Sequence, residues 1–116
     1  MFRVITYNVH QWVDCDGKEN IKGMIETMKE MRGDIIGLQE VMFPHKINNK
    51  TTLEIVAEKL NFPYFEFHKE INHLGEEYGN AFLSKFPFKI VVKKNIQGIA
   101  GKQKFLKIFK IMLFKD

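Results

Sequence analysis

The stretch "FRVITYNV" (residues 2–9) is rich in β-branched and aromatic residues and predicts a β-strand. Apolar side chains fall on both of its faces, which is the pattern of a central strand covered on both sides. The strand ends in polar residues, Asn8 and then His10, which add nothing to the stability of a buried strand. These two side chains are therefore the first candidates for a functional role.

An amphipathic helix is predicted next, within "DGKENIKGMIETMKEMRG" (residues 16–33). Its apolar side chains recur at spacings of three and four, at Ile21, Met24, Ile25, Met28 and Met31. Asp16, in a capping box with Glu19, or else Asn20 can cap its start. Gly33 can end it in the left-handed conformation. The apolar stripe predicts a helix that packs on the core.

The segment "DIIGLQEV" (residues 34–41) predicts a second strand, so the order is strand, helix, strand. Such a βαβ unit makes its two strands parallel, with their carboxyl ends at one edge of the sheet. Asn8 and Glu40 lie near those two ends. Strand alternation places Glu40 on the apolar face with Ile36 and Leu38, which is costly for a carboxylate without a positive partner. Ligands of open α/β sheets bind at this edge.

A second helix is predicted over "TTLEIVAEKL" (residues 51–60), where Thr51 and Glu54 match a capping box. Three short aromatic or β-branched segments follow, at residues 62–68, 78–86 and 88–96. Turn signals at Gly75 and Pro87 separate them, so we expect antiparallel strands. The predicted class is α/β.

Length and composition restrict the class of protein. The 116 residues suffice for one domain with a modest core, and 45% hydrophobic with 28% charged residues argues against general disorder. A single cysteine, Cys15, cannot form an intramolecular disulfide, which favours a reducing compartment. Without a basic leader, or an apolar run long enough to span a bilayer, we expect a cytoplasmic or nuclear protein and no transmembrane segment.

The charge of the chain is uneven. Residues 1–88 hold ten basic and thirteen acidic side chains, a net charge of −3, whereas residues 89–116 hold eight lysines and one acid, a net charge of +7. We therefore divide the chain into residues 1–97 and a lysine-rich tail, residues 98–116. The tail is predicted to be an orphaned core strand. A basic amphipathic helix that contacts an anionic membrane or nucleic acid is the alternative.

Asn8 and Glu40 together suit a hard divalent cation. Mg²⁺ prefers oxygen ligands, and one or two carboxylates with waters and phosphate oxygens commonly hold it. The alternative is structural: Asn8 bonds its own backbone and Glu40 pairs with a lysine. The spacing of the two residues does not decide between these interpretations.

Three blocks resemble the endonuclease/exonuclease/phosphatase superfamily, the Mg²⁺-dependent phosphoesterases similar to DNase I: "VITYNVH" (4–10), "DIIGLQEV" (34–41) and "YGNAFLSKFPF" (78–88). The resemblance implies that Glu40 is the metal-ligating glutamate and that Asn8 is an active-site asparagine close to the metal. It also suggests Asn80 as a further catalytic-site residue. The implied cofactor is Mg²⁺, with Mn²⁺ as an alternative. The implied fold is the first half of a four-layer α/β sandwich.

The sequence also departs from this superfamily. Members carry a histidine paired with an acid, a Gly-Asp-x-Asn block and a Ser-Asp-His block that supplies the general base, and none of these is present. His10 is expected at the rim of the cleft, whereas His45, His68 and His73 are expected to be inert.

Two functions therefore stay open. One is a Mg²⁺-dependent phosphoester hydrolase, a phosphodiesterase or phosphatase, in a truncated and even inactive form. Its substrate would be a nucleic acid, an inositol phosphate or a lipid headgroup. The other is a non-catalytic remnant that binds phosphate or a cation.

Overall fold

A computed structural model describes residues 2–96 and 106–113 of the protein. The chain divides into two compact units, Met1–Lys85 and Phe86–Asp116. The predicted division between residues 97 and 98 lies outside the described residues.

The first unit is an α/β structure, as predicted. Its elements are β1 (Val4–Asn8), α1 (Ile21–Met31), β2 (Ile35–Phe43), β3 (Lys46–Ile47), β4 (Lys50–Thr51), α2 (Thr52–Leu60), β5 (Tyr64–His73) and β6 (Glu76–Ser84). Four strands form a sheet in the order β1-β2-β6-β5. β1 and β2 are parallel, whereas β2–β6 and β5–β6 are antiparallel. The βαβ unit and the antiparallel strands that follow it are therefore confirmed.

Both helices contribute to one hydrophobic core, which packs on one face of the sheet. Its buried side chains include Met24, Ile25 and Met28 of α1, Leu53, Val56 and Ala57 of α2, Ile36 and Leu38 of β2, and Ala81 and Leu83 of β6. Met31 was expected in the same stripe, but its side chain is 49% exposed because α1 ends at this residue.

The prediction that β1 is a central strand is wrong for the described residues. There β1 has a single neighbour, β2, and forms an edge of the sheet. Ile5 and Tyr7 pack against the core, but Val4 is 68% exposed on the other face. Apolar residues on both faces therefore do not establish burial on both faces.

The ends of α1 differ in part from expectation. Asn20, one of the two predicted caps, accepts a hydrogen bond from the Gly23 N–H at 3.1 Å. Arg32 rather than Gly33 takes the left-handed conformation, with φ of 51°. Gly33 serves packing instead, because a Cβ there would lie 2.8 Å from Cδ1 of Ile5. The start of α2 is as predicted, with Thr51 as its cap.

The second unit contains an antiparallel ribbon of β7 (Phe88–Ile96) and β8 (Leu106–Leu113). Residues 106–113 of the lysine-rich tail are thus a strand and not a helix. That this strand belongs to an orphaned core stays a prediction. Residues 97–105 and 114–116 lie outside the described part. Within the described part, the helices are too short and too polar to cross a bilayer. Contact of the tail with an anionic surface stays a prediction.

Asp34 connects the start of β1, the start of β2 and the end of β6. These three strand ends lie opposite the carboxyl end of β1. Its carboxylate accepts the Arg3 N–H at 2.7 Å and lies 3.6 Å from the Lys85 Nζ, while its carbonyl accepts the Lys85 N–H. The bond from the Arg3 N–H and the charge of Lys85 hold the pKa of Asp34 below its ordinary value. The deprotonated carboxylate therefore stabilises the fold.

We expect the variant Asp34→Asn to unfold at a lower temperature than the wild type at neutral pH. Because the folded-state pKa is the lower one, this contribution is present above the unfolded-state pKa and is lost as the pH falls through the folded-state pKa. The difference in melting temperature should therefore shrink on acidification, measured by circular dichroism from neutral to acid pH. Asp16→Asn is the matched control. A difference in melting temperature that stays constant at all pH values would show that the deprotonated Asp34 carboxylate is not what stabilises the fold.

Candidate functional site

The structure places Asn8 and Glu40 side by side on neighbouring strands. Asn8 is in register with Gln39, and the Val9 N–H donates to the Gln39 carbonyl at 3.1 Å. Glu40 follows Gln39 directly. Since β1 and β2 are parallel, both residues lie at the carboxyl-end edge that the βαβ unit predicted.

A β-bulge determines where Glu40 points. The pairing of β2 with β6 shifts register between Leu38 and Val41, so Gln39 and Glu40 both lie opposite Asn80. Glu40 has φ of 53° and is exposed, while Val41 takes the next buried position. The predicted position of Glu40 on the apolar face is therefore wrong, because the extra residue breaks the alternation. Bulges commonly re-aim a side chain beside an active site.

A left-handed turn, His10–Trp12, follows β1 by one residue. Its φ values are 46°, 57° and 67°. The His10 N–H donates to Oδ1 of Asn8 at 2.8 Å, and the buried Trp12 side chain donates from Nε1 to the Met42 carbonyl at 3.1 Å. The turn thus fixes the carboxamide of Asn8 and is itself anchored in the core. This local bond is the one that the structural interpretation of Asn8 predicted.

Strained backbone is concentrated at this edge. The other non-glycine residues with positive φ in the described part end helices or sit in tight turns elsewhere: Arg32, Asn61, Asn48, Asn49 and Leu74. Only the left-handed turn and Glu40 in the bulge bring such angles together at one edge of the described part. Non-glycine residues with left-handed backbone angles cost free energy, and they tend to cluster at functional sites. The backbone therefore points to the edge that holds Asn8 and Glu40.

Glu40 is available to a ligand. Its carboxylate forms no hydrogen bond or ion pair with the described residues, so the predicted lysine partner is not found among them. The bond to His10 uses Oδ1 of Asn8 and leaves the Nδ2 amide group as a donor. Within the described residues, no group of three or more His, Cys, Asp or Glu could hold a metal. The chemistry of one carboxylate and one amide fits Mg²⁺ that keeps several waters.

Asn80 lies on the next strand, opposite the bulge and in register with His68 of β5. His68, which is expected to be inert, has its Nε2 at 3.1 Å from Oε2 of Glu66. The alternation of "EFH" (66–68) was the available signal, because it places the acid and the histidine on one face of a strand. The sequence therefore contained this pair, although it was not recognised.

The structure describes the side chains of two further histidines, His10 and His45. His10 is exposed beside Asn8 at the rim. His45 links Glu19, at 3.1 Å, to the buried hydroxyl of Thr52 and so has a structural role. The side chain of His73 lies outside the described part.

The solved structures that share this fold include two that we compare with the chain. One is the endonuclease/exonuclease/phosphatase from Beutenbergia cavernae DSM 12333, with a TM-score of 0.69 and 17% identity over 97% of this chain. The other is an endonuclease/exonuclease/phosphatase family protein from Leptotrichia buccalis C-1013-b, with a TM-score of 0.56 and 22% identity over 81% of this chain. No protein-family model and no curated protein matches the sequence.

The chain spans only 34% and 41% of the lengths of these two structures. The described architecture is thus part of an endonuclease/exonuclease/phosphatase fold of the DNase I type, as the three sequence blocks implied. At sequence identities of 17% and 22%, the structural similarity establishes the fold alone. The chemistry must be argued from the residues of the site.

Proposed function

We propose that this chain carries the metal- and phosphate-binding part of a Mg²⁺-dependent phosphoester hydrolase of the endonuclease/exonuclease/phosphatase superfamily. The observation that carries the proposal is the exposed Glu40 carboxylate, which the bulge turns out of the core beside Asn8. The shared fold and the three sequence blocks support it.

The two residues have different roles in this proposal. Glu40 would hold the ion through its carboxylate, with water and substrate oxygens as the other ligands. When bound, Mg²⁺ supplies positive charge that stabilises the negative charge developing on the phosphoryl group. Asn8 donates from Nδ2 to a phosphate oxygen, and the bond from the His10 N–H holds its carboxamide in place. The substrate would be a nucleic acid, an inositol phosphate or a lipid headgroup.

A second candidate is a module that binds a cation and phosphate without turnover. The observation that favours it is that Glu40 and Asn8, the two residues brought together at this edge, can hold a cation and a phosphate but include no general base. Both candidates use Glu40 in the same way, so a measurement of metal binding must accompany the measurement of turnover.

The test compares the wild type with Glu40→Gln in two measurements. Binding of Mn²⁺ is followed by electron paramagnetic resonance, and hydrolysis of bis(p-nitrophenyl) phosphate is followed with Mg²⁺. Loss of a metal ligand is expected to abolish Mn²⁺ binding and to lower turnover by about 100-fold, which corresponds to about 3 kcal/mol. Binding that depends on Glu40 without any turnover would favour the second candidate.

The matched control is Glu30→Gln, an exposed carboxylate near the end of α1. The helix of a βαβ unit runs back along the sheet, so this residue lies at the opposite edge. Glu30→Gln should keep wild-type behaviour in both measurements. Mn²⁺ binding that survives Glu40→Gln would refute both candidate functions.

A further inference from the structure

An open cavity lies where the carboxyl ends of α1 and α2 meet. Its volume is about 250 Å³, and its floor is apolar: the side chains of Met28 and Phe62 are buried, and that of Leu60 is half-buried. At about 30 Å³ for each water molecule, this volume corresponds to about eight waters or to an apolar group of similar size. The cavity therefore has room for a small ligand with an apolar body.

The cavity is separate from the candidate site at Glu40. Gly33 and Lys85 also line it, and these two residues lie just before β2 and just after β6. Because β2 and β6 are antiparallel, both mark the end of the sheet where β2 starts. Glu40 lies about 17 Å further along β2, at about 3.3 Å for each residue after Ile35. A ligand that fills the cavity does not extend that far.

The rim of the cavity is cationic. Lys29, Arg32 and Lys85 line it, and no acidic side chain of the described residues does. Lys85 lies 3.6 Å from Asp34. Lys29 and Arg32, by contrast, form no ion pair or side-chain hydrogen bond within the part of the chain that the structure describes. They are three positions apart at the end of α1, where like charges are neighbours and repel. An anion between them would offset this repulsion.

Stabilisation of the helix ends is the structural alternative, since a cation near a helix carboxyl end interacts favourably with the helix dipole. The backbone already bonds carbonyls at both of these ends. The Arg32 N–H donates to the Lys29 carbonyl at 3.3 Å, and the Phe62 N–H donates to the Ala57 carbonyl at 2.9 Å. The charged groups of Lys29 and Arg32 are therefore not needed as caps. Helix stabilisation also requires no apolar cavity beside the cations.

We propose that this cavity binds a small organic acid with an apolar body. The chain of the acid lies on Met28, Leu60 and Phe62, and its carboxylate lies between Lys29 and Arg32. The apolar floor contributes affinity because it removes the chain from water, and the two cations select the charge of the ligand. The inference is independent of the proposed function, because it uses none of the residues of that site.

The test uses the full chain labelled with ¹⁵N and three probes: octanoate, butanoate and octylammonium. We expect octanoate to shift the amide resonances of Arg32, Gly33 and Phe62 in a saturable manner. Butanoate should bind at least tenfold more weakly, because four fewer methylene groups are buried. Octylammonium has an apolar chain of similar length and the opposite charge, so it should also bind at least tenfold more weakly. Titration followed by nuclear magnetic resonance gives the three dissociation constants.

The variants Lys29→Gln and Arg32→Gln should each weaken octanoate binding about threefold, as expected for one exposed charge pair, and the double variant about tenfold. Arg32→Lys keeps the charge and should retain most of the affinity. The matched control is Lys22→Gln, which removes the same charge from the first turn of α1 and should bind octanoate like the wild type. All three positions are exposed, so these substitutions are not expected to unfold the chain.

Octanoate that leaves the amides of Arg32, Gly33 and Phe62 unshifted would overturn the site. Equal affinity for octanoate and octylammonium would show that the cations do not select an acid, and it would overturn the proposal as well. The same conclusion would follow if the double variant bound octanoate as tightly as the wild type.

Discussion

Replacing Trp12 with alanine is expected to lower the free energy of unfolding by about 3–5 kcal/mol, the usual cost of removing a large buried aromatic side chain. Trp12 is fully buried in the core that α1, α2 and the sheet share. Alanine also leaves the Met42 carbonyl without its bond from Nε1. Because domains have only about 5–15 kcal/mol of stability in total, this loss is a large fraction.

The same substitution should affect the site. Trp12 ends the left-handed turn whose first residue, His10, donates to Oδ1 of Asn8. Without the indole, the three positive φ angles lose the packing that maintains them. We therefore expect Trp12→Ala to weaken phosphate binding even at temperatures where the chain is still folded.

Unfolding in urea, followed by far-ultraviolet circular dichroism, measures the effect of Trp12→Ala. Fluorescence is unsuitable because Trp12 is the only tryptophan of the sequence. The matched control is Trp12→Phe, which keeps most of the apolar volume and loses the Nε1–H bond, at an expected cost of about 1–2 kcal/mol. An unchanged urea midpoint for Trp12→Ala would show that the indole does not anchor the turn.

The features predicted correctly from the sequence are those set by local patterns. The apolar spacing in α1 and the cap at Thr51 depend on residues within one or two turns of helix. The parallel pairing of β1 and β2 follows from the strand–helix–strand order, because a crossover of this kind leaves one dominant geometry. The same parallel pairing places Asn8 and Glu40 at one edge of the sheet, which is why their proximity could be predicted.

The features that were missed depend on pairing between distant segments. The edge position of β1 is set by which strands lie beside it, and its own residues do not encode that. The orientation of Glu40 depends on the register of β2 against β6, where an extra residue reverses the alternation. The pairing of His68 with Asn80 likewise depends on the register of β5 against β6, which the residues of one strand do not encode.

Replacing Gly79 with alanine is expected to be the most damaging small substitution in the sheet. A Cβ at this position would overlap the carbonyl oxygen of His68 and lie 2.9 Å from the His68 carbonyl carbon and from Cα of Lys69. All three atoms belong to the backbone of β5, so no change of rotamer relieves the contact. Strands β5 and β6 must separate, and we expect a loss of at least about 3 kcal/mol.

The matched control is Gly37→Ala on β2 of the same sheet. A Cβ there has its nearest neighbours at 3.7–3.8 Å, in ordinary contact with Phe82 and Gln39. We expect a change within about 1 kcal/mol, because alanine also reduces the entropy of the unfolded chain. Urea midpoints of the two variants measure the difference. Equal midpoints would show that β5 and β6 do not approach closely at Gly79.

The clash at Gly79 also tests how closely β5 lies beside β6. The atom that blocks a side chain at this position belongs to His68, so the glycine allows the backbone approach that places His68 beside Asn80. Hydrogen exchange of the β5 amides should therefore accelerate in Gly79→Ala but not in Gly37→Ala.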